Sequence, residues 1–181
     1  MKLLIASDIH GDLDSLNMLL DKFNKEGCDK ILLLGDLLYH GPRNDLPTSY
    51  NPRAVIEKLN ANRNLIIAVR GNCDTEVDQM VLNFPILADY TYLYIDGLTI
   101  YATHGHKYNV NNPLPFNKGD IMLHGHTHIP VCEEFDNSNL YLNPGSVAIP
   151  KGGYPRSYMI YEHRCFTVKD FDGNTILTKQ L

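Results

Sequence analysis

The chain has no long apolar run and no excess of positive charge, and each lack removes a class of function. No stretch of its 181 residues approaches the roughly 18 consecutive apolar residues of a membrane span. The N-terminal run Met1-Lys2-Leu3-Leu4-Ile5-Ala6 meets Asp8 and His10 too soon to be the core of a signal peptide. No membrane partner is expected, and a soluble, cytoplasmic protein is. Lysine and arginine number 16 against 21 aspartate and glutamate, a formal net charge of −5. Binding to a polyanion rests on counterion release by basic side chains, so a nucleic-acid polymer is a poor fit. A small anionic substrate can still be handled by local positive charge. Cysteine is sparse: Cys28, Cys73, Cys132 and Cys165 are scattered with no C-x-x-C pair, which argues against a disulfide scaffold and for reduced thiols. Repeats, linkers and low-complexity tracts are also missing. One domain over residues 1–181 is expected, large enough to bury about 70% of its unfolded surface.

What is present falls into two halves. Residues 2–7 read as a buried strand, followed by a helix from Leu13 to Glu26 with a stripe of Leu13, Leu16, Leu19, Leu20 and Phe23, stopped by Gly27. Ile31–Leu34 form a second strand. A second helix starts at Asn51-Pro52, Asn as cap and Pro in the first turn, and runs to Ala61. Leu65–Val69 form a third strand. This β-α-β-α-β order predicts a parallel sheet covered by helices. The second half is rich in short strands: 90–95 and 98–102 around the hairpin turn Asp96-Gly97, then 120–123, 131–135, 140–142, 157–161, 166–170 and 175–178. Asn137-Ser138 and Asp172-Gly173-Asn174 supply turns, and 108–117 reads as a surface loop. A second sheet packed on the first gives an α/β fold: a four-layer αββα sandwich of two mixed sheets flanked by helices.

The densest signal is a series of polar residues at or just after strand ends: Asp8-Ile9-His10, Gly35-Asp36, Gly71-Asn72-Cys73-Asp74, His104-Gly105-His106 and Gly125-His126-Thr127-His128. Five of the eight histidines fall between 104 and 128. Aspartate, asparagine and imidazole together suit borderline divalent ions. Seven candidate ligands are too many for one tetrahedral site and suit two ions sharing a bridge. Ligands in open α/β sheets bind beyond the carboxyl ends of the strands, where Asp8, His10, Asp36 and Asn72 converge. Residues two apart on an extended backbone point to the same side, so Asp8 with His10, and His126 with His128, can grip together. A carboxylate has two oxygens, so Asp36 can bridge. Taken singly, each piece has a plainer reading as a turn or a hydrogen-bonded histidine; their joint occurrence in this order points to a two-metal hydrolase.

With these motifs the chain resembles the calcineurin-like metallophosphoesterases, whose signature is D-x-H, G-D, G-N-x-D/E, a strand-end His and G-H-x-H. Within them it resembles the small bacterial phosphodiesterases, on His40-Gly41-Pro42-Arg43-Asn44, Arg70 to Asp74, Asn143-Pro144-Gly145-Ser146 and Ile149 to Gly153. The resemblance implies one ion on Asp8, His10, Asp36 and His128, and another on Asp36, Asn72, His104 and His126. The ions it implies are Mn²⁺ first, with Zn²⁺, Fe or Ni²⁺ as substitutes. It further implies hydrolysis of a small phosphate ester by in-line attack of a hydroxide held between the ions, with Asp36, Asn72, His104, Cys73 and Asp74 in the catalytic group. Many relatives carry His where Cys73 stands and use it as general acid; a thiol is a poor donor. Cys73 therefore reads either as catalytic or as a small buried filler. Arg43, His40 and His106 are the candidate substrate-binding residues, the two histidines also being alternative proton donors. His124 falls outside the ligand pattern and reads as structural, Asp74 as orienting a ligand or the loop, and Asn143 to Ser146 as the floor of the site. The rival readings are a phosphomonoesterase or nuclease of the same fold and a non-catalytic metal-binding scaffold. The sequence leaves oligomeric state open, a homo-oligomer included.

Overall fold

The computed structural model describes residues 1–136 and 138–181. β1 (Leu3–Ala6), β2 (Lys30–Leu33) and β3 (Ile66–Ala68) pair in parallel, and β1 also pairs antiparallel with β9 (Ser157–Glu162). With β10 (Cys165–Asp170) and β11 (Thr175–Gln180) they make a six-stranded sheet in the order β11-β10-β9-β1-β2-β3. The second sheet runs β4-β5-β6-β8-β7, built from β4 (Tyr90–Ile95), β5 (Leu98–Thr103), β6 (Ile121–Leu123), β7 (Pro130–Phe135) and β8 (Asn139–Pro144). Helices α1 (Leu13–Glu26), α2 (Pro52–Ala61) and α3 (Glu76–Val81) accompany the first sheet. Two mixed sheets with flanking helices are the α/β sandwich expected.

Local chemistry explains the boundaries. Asp12 caps α1 by accepting from the Ser15 amide, and Gly27 ends it with φ +65°, where a side chain would be strained. Asn51 caps α2 by accepting from the Ala54 amide, and Pro52 opens the helix. Asp96 and Gly97 both take positive φ, 50° and 75°, the signature of a type I′ hairpin. The turn expected at Asn137-Ser138 includes Asn137, which lies outside the described residues.

Two clusters form the core. Leu4, Ala6, Leu16, Leu19, Val55 and Leu59 seal the helices onto one face of the first sheet. Leu3, Ile5, Leu32, Ile100, Leu123 and Phe166 fill the space between the sheets. Alternate residues of β1 thus serve both clusters, which is why that strand is a continuous apolar run. On the outer face of the second sheet, Phe116 packs against Tyr101 and Phe135 (ring centroids 5.0 and 5.7 Å), so the 104–120 loop covers it. That loop is also a crossover. It makes β5 and β6 parallel, and β6 and β8 are parallel too, where a hairpin-rich reading expects antiparallel neighbours. As a result, five strands from both sheets deliver their carboxyl ends to one edge of the sandwich: β1, β2, β3, β5 and β6.

Candidate metal centre

Each candidate ligand follows one of those five ends. Asp8 and His10 follow β1, Asp36 follows β2, Asn72 follows β3, His104 follows β5, and His126 and His128 follow β6. Asp8, His10, Asp36, His104 and His128 are buried, His126 is half-buried and Asn72 is exposed. Oxygen and nitrogen atoms of Asp8, His10 and His128 lie within 4.8 Å of one another, as do those of Asp8, Asp36 and His104. Asp36 Oδ2 joins the groups, 3.8 Å from His10 Nε2 and 3.4 Å from His104 Nε2. His104 Nε2 is also 3.1 Å from Asn72 Oδ1 and 3.2 Å from His126 Nδ1.

The outer face of each imidazole decides its chemistry. His10 Nδ1 donates to the Tyr39 carbonyl at 2.8 Å, His104 Nδ1 to the Leu34 carbonyl at 2.7 Å, and His128 Nδ1 to the Ile149 carbonyl. A carbonyl can only accept, so each Nδ1 carries a proton, and in its neutral form each ring turns a bare Nε2 lone pair inward. The inward Nε2 atoms of His10 and His128 are 3.4 Å apart. Asp8 Oδ1 is buried with no hydrogen-bond partner, 3.2 Å from His128 Nε2 and 3.6 Å from His10 Nε2. Such a cluster of lone pairs calls for a cation, so the donor set fits divalent metal.

The electrostatics agree. Burial resists charge on Asp8, yet the imidazoles of His10 and His128 outweigh it and hold the carboxyl well below its ordinary value. Asp36 is likewise lowered against burial, chiefly by His104. Burial also opposes a proton on His104, but Asp36 and Asp8 overcome it and raise the group to about 9. Without an ion, a proton on His104 takes the place of the positive charge.

The backbone is bent to the same end. Among the described residues nine non-glycine positions have positive φ, and Asp8, His10, Asp36, His126 and His128 are five of them. Each costs of order 1 kcal/mol and is retained where the surroundings enforce it. Asp74 helps to enforce it: its carboxylate accepts from the amides of Asp36 (2.8 Å), Leu37 (2.9 Å) and Gly71 (2.7 Å), clamping the β2 and β3 ends together. It faces backbone and not the cleft. Asn143 Nδ2 donates to the Gly125 carbonyl, and Ser146 Oγ to the Asp8 carbonyl, so the 143–146 segment braces the ligand turns from below.

A cleft of about 350 Å³ opens on this centre, lined by His10, Asp36, Asn72, Cys73, His126 and His128 together with Arg43, Asn44, Thr127 and Lys151. Lys151 lies in the Ile149 to Gly153 stretch, which by sequence gives it no role of its own; its place next to the cleft follows from its amide donating to the His128 carbonyl. Arg43 lines the cleft as expected, but His40 and His106 are not part of its lining. His40 is held edge-on between Tyr39 and Tyr50, and the His106 ring stands 5.5 Å from that of His104 and 6.3 Å from that of His126. Burial and the neighbouring imidazoles push His106 down to about 4. His124 stacks on Tyr141 at 4.4 Å, in none of the ligand groups, and burial lowers it to about 4. Cys73 is buried beside the cleft, and burial followed by the Asp36 carboxylate pushes its thiol far up, so it stays protonated.

Residues 1–164 match the calcineurin-like phosphoesterase superfamily domain, and the chain belongs to that superfamily. It is accordingly a metal-dependent hydrolase of phosphoric esters. It is 43% identical over 179 residues to the phosphodiesterase YfcE of Escherichia coli K12, covering 99% of this chain and 97% of the relative. The solved structure of that E. coli phosphoesterase superposes with a TM-score of 0.96 over 99% of this chain and 98% of its own. The phosphodiesterase MJ0936 of Methanocaldococcus jannaschii is 32% identical over 80% of this chain and 83% of its own length.

Proposed function

We propose that this protein is a phosphodiesterase of small substrates, acting in the cytoplasm with two divalent ions. One ion is held by Asp8, His10, Asp36 and His128, and the other by Asp36, Asn72, His104 and His126. The observation that carries the reading is the outward Nδ1 donation of His10, His104 and His128, which leaves three Nε2 lone pairs facing two buried carboxylates. When bound, such ions lower the pKa of a water toward neutrality and offset charge on the phosphoryl oxygens.

The protein's own groups do the rest. Asp36 Oδ1 accepts from the Cys73 amide at 2.8 Å, which fixes the carboxylate so that Oδ2 stays between His10 and His104. Arg43 and Lys151 give the cleft the positive charge that an acidic chain otherwise lacks, and so orient a phosphate anion. The protonated, buried Cys73 thiol is a weak donor to a leaving group, which favours esters of acidic alcohols. The names of the relatives, both phosphodiesterases, favour diester over monoester. A small cleft and a net charge of −5 disfavour a nucleic-acid polymer.

The test is hydrolysis of bis-nitrophenyl phosphate against the nitrophenyl monoester, with Mn²⁺, Zn²⁺, Ni²⁺ and Mg²⁺ in turn and single-stranded DNA as a further substrate. Diester turnover with Mn²⁺ is expected to exceed monoester turnover. Asp36→Asn should lose at least about a hundredfold, since an amide neither carries the shared charge nor bridges comparably. Full activity of Asp36→Asn with both ions retained refutes the bridging role.

A further inference from the structure

Beside the cleft lies a second depression of about 450 Å³ with mainly apolar walls, Leu38, Tyr39, Tyr50, Ile56, Val77 and Val81, and one carboxylate, Asp78. Two chain segments build both features. Leu38 and Tyr39 line the groove while Gly41 to Asn44, next along the chain, line the cleft. Asn72 lines the cleft, Thr75 the groove, and Cys73 between them lines both. The groove is rigidly tied to the centre, because the carbonyl of its wall residue Tyr39 accepts from His10 Nδ1. Its lining leaves apolar side chains open to solvent: Tyr39, Val77 and Val81 are 42, 68 and 41% exposed. Apolar surface left open next to a reacting centre is expected where a ligand covers it.

We propose that this groove is the subsite for one esterifying group of the diester, and that this group is hydrophobic: a branched or cyclic alkyl, or an aryl, alcohol. The inference rests on the phosphodiesterase reading and deepens it. The phosphate is anchored over the metal ligands by Arg43 and Lys151, and the hydrophobic arm turns past Cys73 onto Tyr39, Tyr50 and Val77. Each buried methylene contributes about 0.8 kcal/mol when fully covered and less in an open groove.

The experiment keeps the leaving group constant and changes the other arm. Methyl nitrophenyl phosphate and cyclohexyl nitrophenyl phosphate are compared on the Mn²⁺-loaded enzyme, with KM and kcat resolved separately. The cyclohexyl ester is expected to have a KM lower by about tenfold with similar kcat. In Val77→Asp the ratio of the two KM values should collapse toward one. Val81→Asp serves as the second variant with the same expectation, and circular dichroism checks the fold of both. Equal KM values in the wild type, or an unchanged ratio in both folded variants, overturn the subsite while leaving the phosphodiesterase reading intact. No hydrolysis of either ester by the metal-loaded wild type overturns that reading, and the subsite with it.

Discussion

A held outer nitrogen fixes an imidazole's tautomer and direction, and three backbone carbonyls do this for His10, His104 and His128. His124 also turns its Nδ1 to a backbone carbonyl, that of Gly125, and its Nε2 is buried without a partner, so place sets it apart: its ring lies flat on Tyr141 and it joins none of the clustered donor groups. His128→Ala and His126→Ala should each lower bound metal by about one ion per chain, and His124→Ala should retain both. Elemental analysis of the purified variants decides this; equal loss in all three would make His124 a ligand. Which side chains gather at the strand ends was legible in the sequence, because D-x-H, G-D, G-N and G-H-x-H restrict what stands together there. Their left-handed backbone was not, since aspartate and histidine at φ near +60° look the same in sequence as at any other φ. Nor was Lys151, a single cation in a loop whose approach to the cleft depends on pairing with His128 across 23 residues. The expectation that His40 and His106 reach substrate came from sequence neighbourhood, which says nothing of the tyrosines that hold His40 aside.

The elements matter here through how closely their ends approach. α1, α2 and the first three strands were legible from apolar periodicity and from Asn, Pro and Gly at their boundaries. The six-residue α3 went unread, although Thr75 and Asp78 form a capping box that marks its start. It is too short for periodicity to show. The parallel strands β5, β6 and β8 also went unread, because strand propensity does not fix strand direction and the crossover 104–120 contains no helix. What those connections achieve is close contact between ligand turns, and Gly71 marks the tightest of them. A Cβ there would lie 2.1 Å from Asp36 Oδ1 and 2.3 Å from its amide nitrogen, so Asp36 would have to move. Gly71→Ala, although no ligand changes, should therefore lose bound metal and at least about a hundredfold in turnover, the usual result of displacing a catalytic group by an ångström. Metal content and turnover together test it; a folded variant with both at wild-type levels would show that the β2 and β3 ends can separate without disturbing the centre.

For the molecule as a whole, the centre places a cluster of negative charge and backbone strain at the edge where the two sheets meet, so folding and metal binding are linked. In the metal-free fold His104 is raised above its ordinary value of about 6.5 to about 9. Its protonated form thus adds stability that is complete below about pH 6.5 and lost as pH rises through about 9. Asp8 and Asp36 are shifted the other way. Their contribution is present above the ordinary carboxylate range and disappears as acid drives pH down through their lowered values. Metal has the opposite demand from the His104 proton, because Nε2 must be bare before it can coordinate. Mn²⁺ should therefore stabilise the protein more at about pH 8.5 than at about pH 6.5. At a free ion concentration a hundred times the dissociation constant, one site contributes about 2.7 kcal/mol, or about 5–10 °C in Tm for a chain of this size. Calorimetric melting of chelator-treated protein, with and without Mn²⁺ at the two pH values, measures both effects. The metal-free Tm is expected to fall from the lower to the higher pH while the gain from Mn²⁺ grows. A gain that is the same or smaller at the higher pH would mean that the His104 proton does not compete with the ion, and that the positive charge of the metal-free centre rests on another group.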